Sequence, residues 1–347
     1  MSQIFIRLAK DSDATIWNDY VLGHPDSGPY HLWEWRQTIR DAYNHSPYYL
    51  IAEESSTNKV IGLLPLFYIK PPFVKGQLVS LPFCDYGGPL AETTDIKALL
   101  CQGAKNFASE KNATIELRCN QPLSAVSSLT SFGDKVRMIL PLPESSDLLL
   151  KQFKSKLRSQ IRRPVRDELY ARIGRSELVG DFYTVFTVNM RDLGSPVHSQ
   201  RCFEALMHHF AEKAKVGVVY KEHTPVAAGI ILLHNTTVSI PWASSLRSFN
   251  RYSPNMLLYW SFLEYAADSG YKRFDFGRSS PDSGTFRFKK QWGAKPEPVF
   301  WYADSPPAIT ASGKGKKLRE RAENIWMKLP LAAVNYLGPK IRKYISL

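Results

Sequence analysis

The stretch Val216–Ala243, VGVVYKEHTPVAAGIILLHNTTVSIPWA, decides the fold. It reads as a β-hairpin followed by a third strand. Downstream come a helix over Pro254–Ser269 and a strand over Tyr271–Phe276; upstream lie helices near Gly180–Leu193 and Gln200–Ala214. The first half of the chain repeats that order. A helical HLWEWRQTIRDAY (His31–Tyr43) precedes a hairpin at Tyr48–Ile69 with its turn at Ser55–Asn58, and a helix over Asp95–Lys111 leads to a strand over Ala113–Cys119. No residue identity links the halves, so the repeat is architectural.

At 347 residues the chain is long enough for two ordinary cores or one large one. Its longest apolar run, Val226–Leu233, is far below the roughly 20 residues of a spanning helix. The opening MSQIFIRLAKDSD lacks a basic-then-apolar signal, which places the chain in the cytoplasm. The four cysteines form no C-x-x-C pair, an argument against a zinc site or a disulfide scaffold. Cys202 and His209 lie two helical turns apart, and His208 and His209 point to different sides, so no nucleophile–base pair or metal site is read there.

The net charge of +13 is local. Lys151–Arg175 carries nine cations against Asp167 and Glu168, and Ser312–Leu347 nine against Glu320 and Glu323, so each contributes +7 and the remainder sums to 13 − 14 = −1. Nucleic acid and an anionic membrane surface are the partners such patches suit, with a solvated helix face as the plain alternative. In the first patch, Pro164 must kink a helix or split it in two.

The order of elements is that of the GCN5-related N-acyltransferase (GNAT) fold, present twice. With it, FDFGRSSPDSGTFRFKKQWGA (Phe274–Ala294), NMRDLGSPV (Asn189–Val197), YSPNMLLYWSFLEYAADSGY (Tyr252–Tyr271) and PFCDYGGPL (Pro82–Leu90) resemble FemAB-type proteins. They are most similar to the FemAB-like group associated with exosortase (PEP-CTERM) and exopolysaccharide systems. The resemblance implies an α/β tandem GNAT fold: domains at residues 1–145 and 176–310, a basic helical connector at 146–175 and an amphipathic tail at 311–347. It also implies amide formation on amino groups of cell-envelope glycans or of peptidoglycan-like precursors. The donor is acyl-CoA or aminoacyl-tRNA, with no permanently bound cofactor and no metal. A non-catalytic scaffold binding a glycan precursor is the alternative.

Amide formation needs a neutral amine, an activated acyl ester and donors for a developing oxyanion. Alternation along Tyr271–Phe276 sets Asp275 opposite the two phenylalanines and near the loop beginning at Gly277 and Arg278. Asp275 is thus a candidate base, unless it pairs with Arg273. Arg278 is a candidate anion anchor. Lys289 and Lys290 are candidates for donor phosphate or oxyanion, or a solvated face, and Ser283 is a helix cap beside them. Trp292 either stacks on a sugar or adenine ring or packs internally. Where acetyltransferases carry an R-x-x-G-x-G/A phosphate loop, this chain reads ASSLRSFNRYSPN (Ala243–Asn255), without glycine. Arg247, Arg251, Tyr252 and Asn255 are the donor-binding candidates there, and the missing loop favours either a transfer-RNA donor, touching Lys154, Lys156, Arg158, Arg162 and Arg163, or a different mode of binding coenzyme A. Asp85, Tyr86 and Arg191 complete the acceptor candidates, each beside a glycine that also suits a turn or helix end. The tail, with Ile325, Trp326, Leu329 and Leu337 among its cations after Pro306 and Pro307, reads as a removable anchor on an anionic membrane.

Overall fold

The computed structural model of the chain describes residues 3–123, 129–304 and 313–347. Residues 1–134, 298–317 and 343–347 form one compact unit, and residues 135–297 and 318–342 another.

The first unit opens with β1 (Ile4–Leu8), α1 (Ala14–Gly23) and α2 (Trp33–Tyr43). Short strands follow: β2 (Ser46–Pro47), β3 (Leu50–Glu54), β4 (Val60–Leu64), β5 (Phe67–Ile69), β6 (Gln77–Val79) and β7 (Leu90–Ala91). Then come α3 (Thr94–Glu110), β8 (Thr114–Cys119) and β9 (Thr130–Phe132). β3 and β4 form the hairpin read from the sequence, turning through Ser55–Lys59. Thr93 caps α3 by accepting the Ile96 N–H, and the face of Leu100 and Ala104 packs with Ile115 and Leu117 of β8. All four cysteines are buried thiols; burial pushes Cys101 up to about 12 and raises Cys119 well above the ordinary thiol value, so neither is a nucleophile at neutral pH.

The second unit contains β10 (Val136–Pro141), α4 (Ser146–Gln152), α5 (Ser155–Arg166), β11 (Leu169–Gly174), α6 (Val179–Asp192) and α7 (Gln200–Phe210). It continues with β12 (Ala214–Lys221), β13 (Thr224–His234), β14 (Thr237–Ser245), α8 (Pro254–Asp268), β15 (Arg273–Ser279), α9 (Gly284–Gln291) and β16 (Lys295–Pro298). The sheet order is β11-β12-β13-β14-β15-β10-β16. β13 is buried along nearly its whole length because α8 and α6 both pack on it, which accounts for its unbroken apolar run. Gly217 and Gly229 face each other across β12 and β13, and Phe262 of α8 fills the groove they leave; an added Cβ would lie 2.5 Å and 3.0 Å from its ring. That contact fixes how α8 lies on the sheet.

β17 (Phe300–Ala303) returns to the first unit and completes its six-stranded sheet, β2-β5-β6-β8-β17-β9, beside the four-stranded β1-β3-β4-β7. The chain ends with α10 (Gly313–Trp326), α11 (Leu331–Arg342) and the segment Lys343–Leu347.

Two readings change here. Residues 146–175 are no separate connector: α5 buries Leu157, Ile161 and Pro164 in the second unit's core, and β11 is an edge strand of its sheet. The break falls at Phe153–Lys154, whose extended backbone separates α4 from α5, while Pro164 sits inside α5 near its end. Nor is the tail a removable anchor. Gly194, at φ +71° after α6, would place a Cβ 3.0 Å from the Glu323 backbone of α10, and Gly338 of α11 lies against Val197. Arg342 Nε donates to His198 Nε2 at 3.1 Å. In the first unit, Arg118, 1% exposed, donates to Ser346 O and Oγ at 3.1 and 2.8 Å, and Phe83 N–H to Ser346 O at 2.6 Å. The Pro306–Pro307 break lies outside the described residues.

Deleting Lys343–Leu347 strips partners from a buried guanidinium, and the unfolding free energy should fall by about 2–5 kcal/mol; an unchanged urea midpoint would show the segment to be dispensable. His198 supplies a second prediction. Burial, then the Arg342 charge, holds its pKa well below the usual value, so it stays neutral in the fold. The unfolded chain takes up that proton below about pH 6.5, so stability is lost as pH falls through this point, at up to about 1.4 kcal/mol per pH unit. Urea unfolding at pH 7 and pH 5 should show a smaller drop for His198→Gln than for the unaltered protein.

Candidate active site

The sheet of the second unit splits in the middle. β14 and β15 run parallel but pair at three positions only, Thr237↔Arg273, Val238↔Phe274 and Ser239↔Asp275. Beyond these, β14 stays with β13 as far as Ser245, and β15 stays with β10 as far as Ser279. Register shifts at Ile230/Leu232 and Arg137/Ile139 flank the parting, where bulges add twist. Pro241, which has no N–H to offer a ladder, sits within β14, two residues past its last pair with β15. Two strand edges therefore carry backbone donors and acceptors that no neighbouring strand satisfies. The Ser239 and Ser279 hydroxyls, on residues 1% and 4% exposed, also have no hydrogen-bond partner among the described residues. A buried polar group without a partner calls for an explanation, and a bound water, ion or ligand is one.

Side chains around β15 hold this opening in shape. Asp275 is 3% exposed; it accepts the Gly277 N–H at 2.8 Å and faces Arg137 Nη1 of β10 at 3.5 Å. Arg273, considered as its partner, pairs instead with Glu297, which also accepts from Arg137. A carboxylate so enclosed fixes the backbone at Gly277, which takes φ +72° within β15, and is shielded from an incoming amine, which departs from the general-base expectation. Lys289 is also buried, and its Nζ donates to the carbonyls of Gly277 and Arg278 at 3.1 and 2.8 Å. Ser283 caps α9 by accepting the Phe286 N–H and thereby aims Lys289 back at β15. Arg278 is half-buried on β15, opposite Arg137. A desolvated ammonium thus stands at the half of β15 that has left β14.

The turn Arg247–Tyr252 carries the chain from β14 into α8. Arg247 donates to Asp192 O, while Arg251 lies over the Tyr252 ring and donates to its hydroxyl. Asn255 sits in the first turn of α8 with its Oδ1 buried and without a partner among the described residues. Arg191, at the end of α6, is paired with Asp192. Trp292 is a core residue against Phe153, Tyr259 and Phe288, so its ring does not stack on a sugar. Lys290 is exposed. Asp85 and Tyr86 belong to the first unit. Tyr86 is buried, and Gly28 is required beside it because a Cβ would meet its hydroxyl at 2.2 Å; Asp85 is half-buried and its carbonyl accepts the Trp301 indole N–H.

Sequence reading missed Arg137, Ser239 and Ser279. A lone cation in the apolar run VRMIL and a proline in SIPWA were the available signals.

Residues 151–290 match the family model described as acetyltransferase (GNAT) domain. No curated protein matches the sequence. Among solved structures, FemX is similar over 92% of this chain and 100% of its own, at 15% identity and a TM-score of 0.68. The fold is a tandem GNAT fold. L-PGS from Bacillus licheniformis (90% of this chain, 97% of its own, 12% identity, TM-score 0.59) is similar too. So is a tandem GNAT protein from the clavulanic acid biosynthesis pathway (88%, 100%, 12%, TM-score 0.55). The second GNAT unit of this chain carries the matched acyltransferase domain, and the parted strands lie within it.

If the two serine hydroxyls of this GNAT unit serve a ligand, removing them does not weaken the fold. Ser239→Ala and Ser279→Ala should leave the melting temperature unchanged or raise it slightly, since each removes an unpaired buried hydroxyl. A loss above about 1 kcal/mol in either variant would reveal a structural role.

Proposed function

We propose that the chain transfers an acyl or aminoacyl group to an amino group of a cell-envelope glycan or its precursor, such as an exopolysaccharide or a peptidoglycan-like intermediate. The observation that carries the reading is the opening between β14 and β15 with its two partnerless buried hydroxyls, inside a GNAT-type acyltransferase domain. An extended acyl donor entering there adds hydrogen bonds to the open strand edges, much as a peptide adds to a sheet. The acceptor is the part of the reading that rests on the FemAB resemblance.

In the reaction, the amine nitrogen attacks the carbonyl carbon of the donor's ester or thioester. The C–N bond forms, the carbonyl oxygen takes negative charge, and collapse breaks the C–O or C–S bond; the amine's proton passes through solvent to the departing oxygen or sulfur. Lys289 supplies a desolvated positive charge for the oxyanion. Asp275 and Arg137 position the Gly277–Arg278 backbone and, through it, Lys289. Arg278 and Lys290 remain the anchors for donor phosphate, with Asn255 at the first turn of α8, while Asp85 remains with the acceptor. Peripheral contact with an anionic membrane belongs to the same reading. It falls to Leu318, Ile325 and Tyr336, all exposed on α10 and α11, and co-sedimentation with anionic liposomes tests it.

The donor is acyl-CoA or aminoacyl-tRNA, and the two are separable by experiment. Purified protein offered each donor with an amino-sugar acceptor should form an amide detectable by mass spectrometry, and ribonuclease should abolish only transfer from RNA. Lys289→Met should lower kcat about 10²–10³-fold with donor KM little changed. A variant as active as the parent would remove the oxyanion role, and absence of amide from either donor would remove the transferase reading.

A further inference from the structure

A cavity of about 720 Å³ lies in the second unit between the start of α5 and α9, and its walls include Lys154, Lys156, Arg287 and Lys290. None of the residues lining it is acidic. Among the described residues, none of these four cations has a carboxylate partner: Arg287 donates to the Asp282 carbonyl, and Lys290 lies over the Phe286 ring. Trp292 forms part of the wall, is fully buried, and its indole N–H has no acceptor among the described residues. Leaving such a donor unmet costs about 1–3 kcal/mol. The helix end beside the cavity fits the same demand. Lys154 is the N-cap of α5, which has no side-chain cap and no acidic residue in its first turn, whereas α4 has Ser145 and Asp147. Cations at a helix start oppose its dipole, and a bound anion reverses the sign of that contribution.

We infer that this cavity binds the phosphates of the donor's carrier, a nucleotide bearing a diphosphate or successive phosphodiesters. Four cations exceed what one phosphate needs, and the volume is that of a site for a nucleotide-sized ligand. Pro141 and Leu157 give the cavity wall an apolar part beside its cations. Position links the cavity to transfer: Gln291 on its wall contacts Met256 in the first turn of α8 at 3.9 Å. The phosphate function that glycines serve in an R-x-x-G-x-G/A loop is here extended from Asn255 at the start of α8 to the cations of α5 and α9. Binding to the cavity stands by itself; its part in transfer rests on the function proposed above.

Coenzyme A and the 3′ end of an RNA share this phosphate chemistry, and direct titration distinguishes them. The full chain is titrated calorimetrically with ADP, coenzyme A and a CCA trinucleotide, without acceptor. At least one should bind, with a dissociation constant raised tenfold or more in Lys154→Gln/Arg287→Gln and raised in Trp292→Phe, while Arg251→Gln binds as the parent does. The double variant alters exposed side chains only, so its melting temperature serves as the control for folding. Binding by none of the three, or binding unaffected by the double variant but lost in Arg251→Gln, overturns the inference. Whether coenzyme A or the trinucleotide displaces ADP at the lower concentration identifies the carrier; displacement by neither overturns the donor role. Cavity binding without amide formation from any donor would defeat the transferase reading and leave the phosphate site standing.

Discussion

Everything at the candidate site follows from the three-residue pairing of β14 with β15. Parallel neighbours in a twisted sheet that stop bonding midway leave backbone groups with no strand to pair with on that side. The fold accepts this because each strand has a secure partner on its other side, β13 for one and β10 for the other. Phe262, wedged over Gly217 and Gly229, holds α8 against the intact part of the sheet, so the parting is not closed by drift of the helix. Asp275, Arg137 and Lys289 then pin the loose half of β15 from behind. The cost of open edges is thus met by rigidity around them, a condition for holding a reactive carbonyl in one orientation.

The repeated element order was legible because it rests on local periodicity. The β12–β14 run, α3, α6 and α8 fall within a few residues of their expected limits, since each has a strong apolar pattern and a clear turn or cap. Less legible was where segments belong. Nothing in VRMIL states that β10 joins a sheet whose other members begin some thirty residues later, because strand pairing is a long-range choice. The same limit made the basic segment look like a linker and the last helices look like an anchor. Their charge is real and exposed, but the apolar residues beneath it, Leu157 and Ile161 in α5 and Val334 in α11, are buried within the protein.

Chemistry was legible by residue type and less so by role. Phe274–Ala294 does deliver charged residues to the lip of the opening, yet alternation alone separates faces and does not tell a solvent-facing carboxylate from an enclosed one. Asp275 is enclosed because Arg137 comes from a strand far away in sequence. Ser239 and Ser279 carry no signal at all in a single sequence; what distinguishes them is a buried hydroxyl without a hydrogen-bond partner among the described residues, which only three dimensions reveal.

Because β17 is supplied after residue 297, the two units differ in when they have all their strands. As the chain leaves the ribosome, β8 emerges without the neighbour that will cover its edge, and it waits while the whole of residues 135–297 is synthesised. That intervening stretch already contains every strand of its own seven-stranded sheet. The order of synthesis and the order of completion are therefore reversed: the later unit closes its sheet first, and the earlier one holds an open edge that must be kept from pairing wrongly until Phe300–Ala303 arrives.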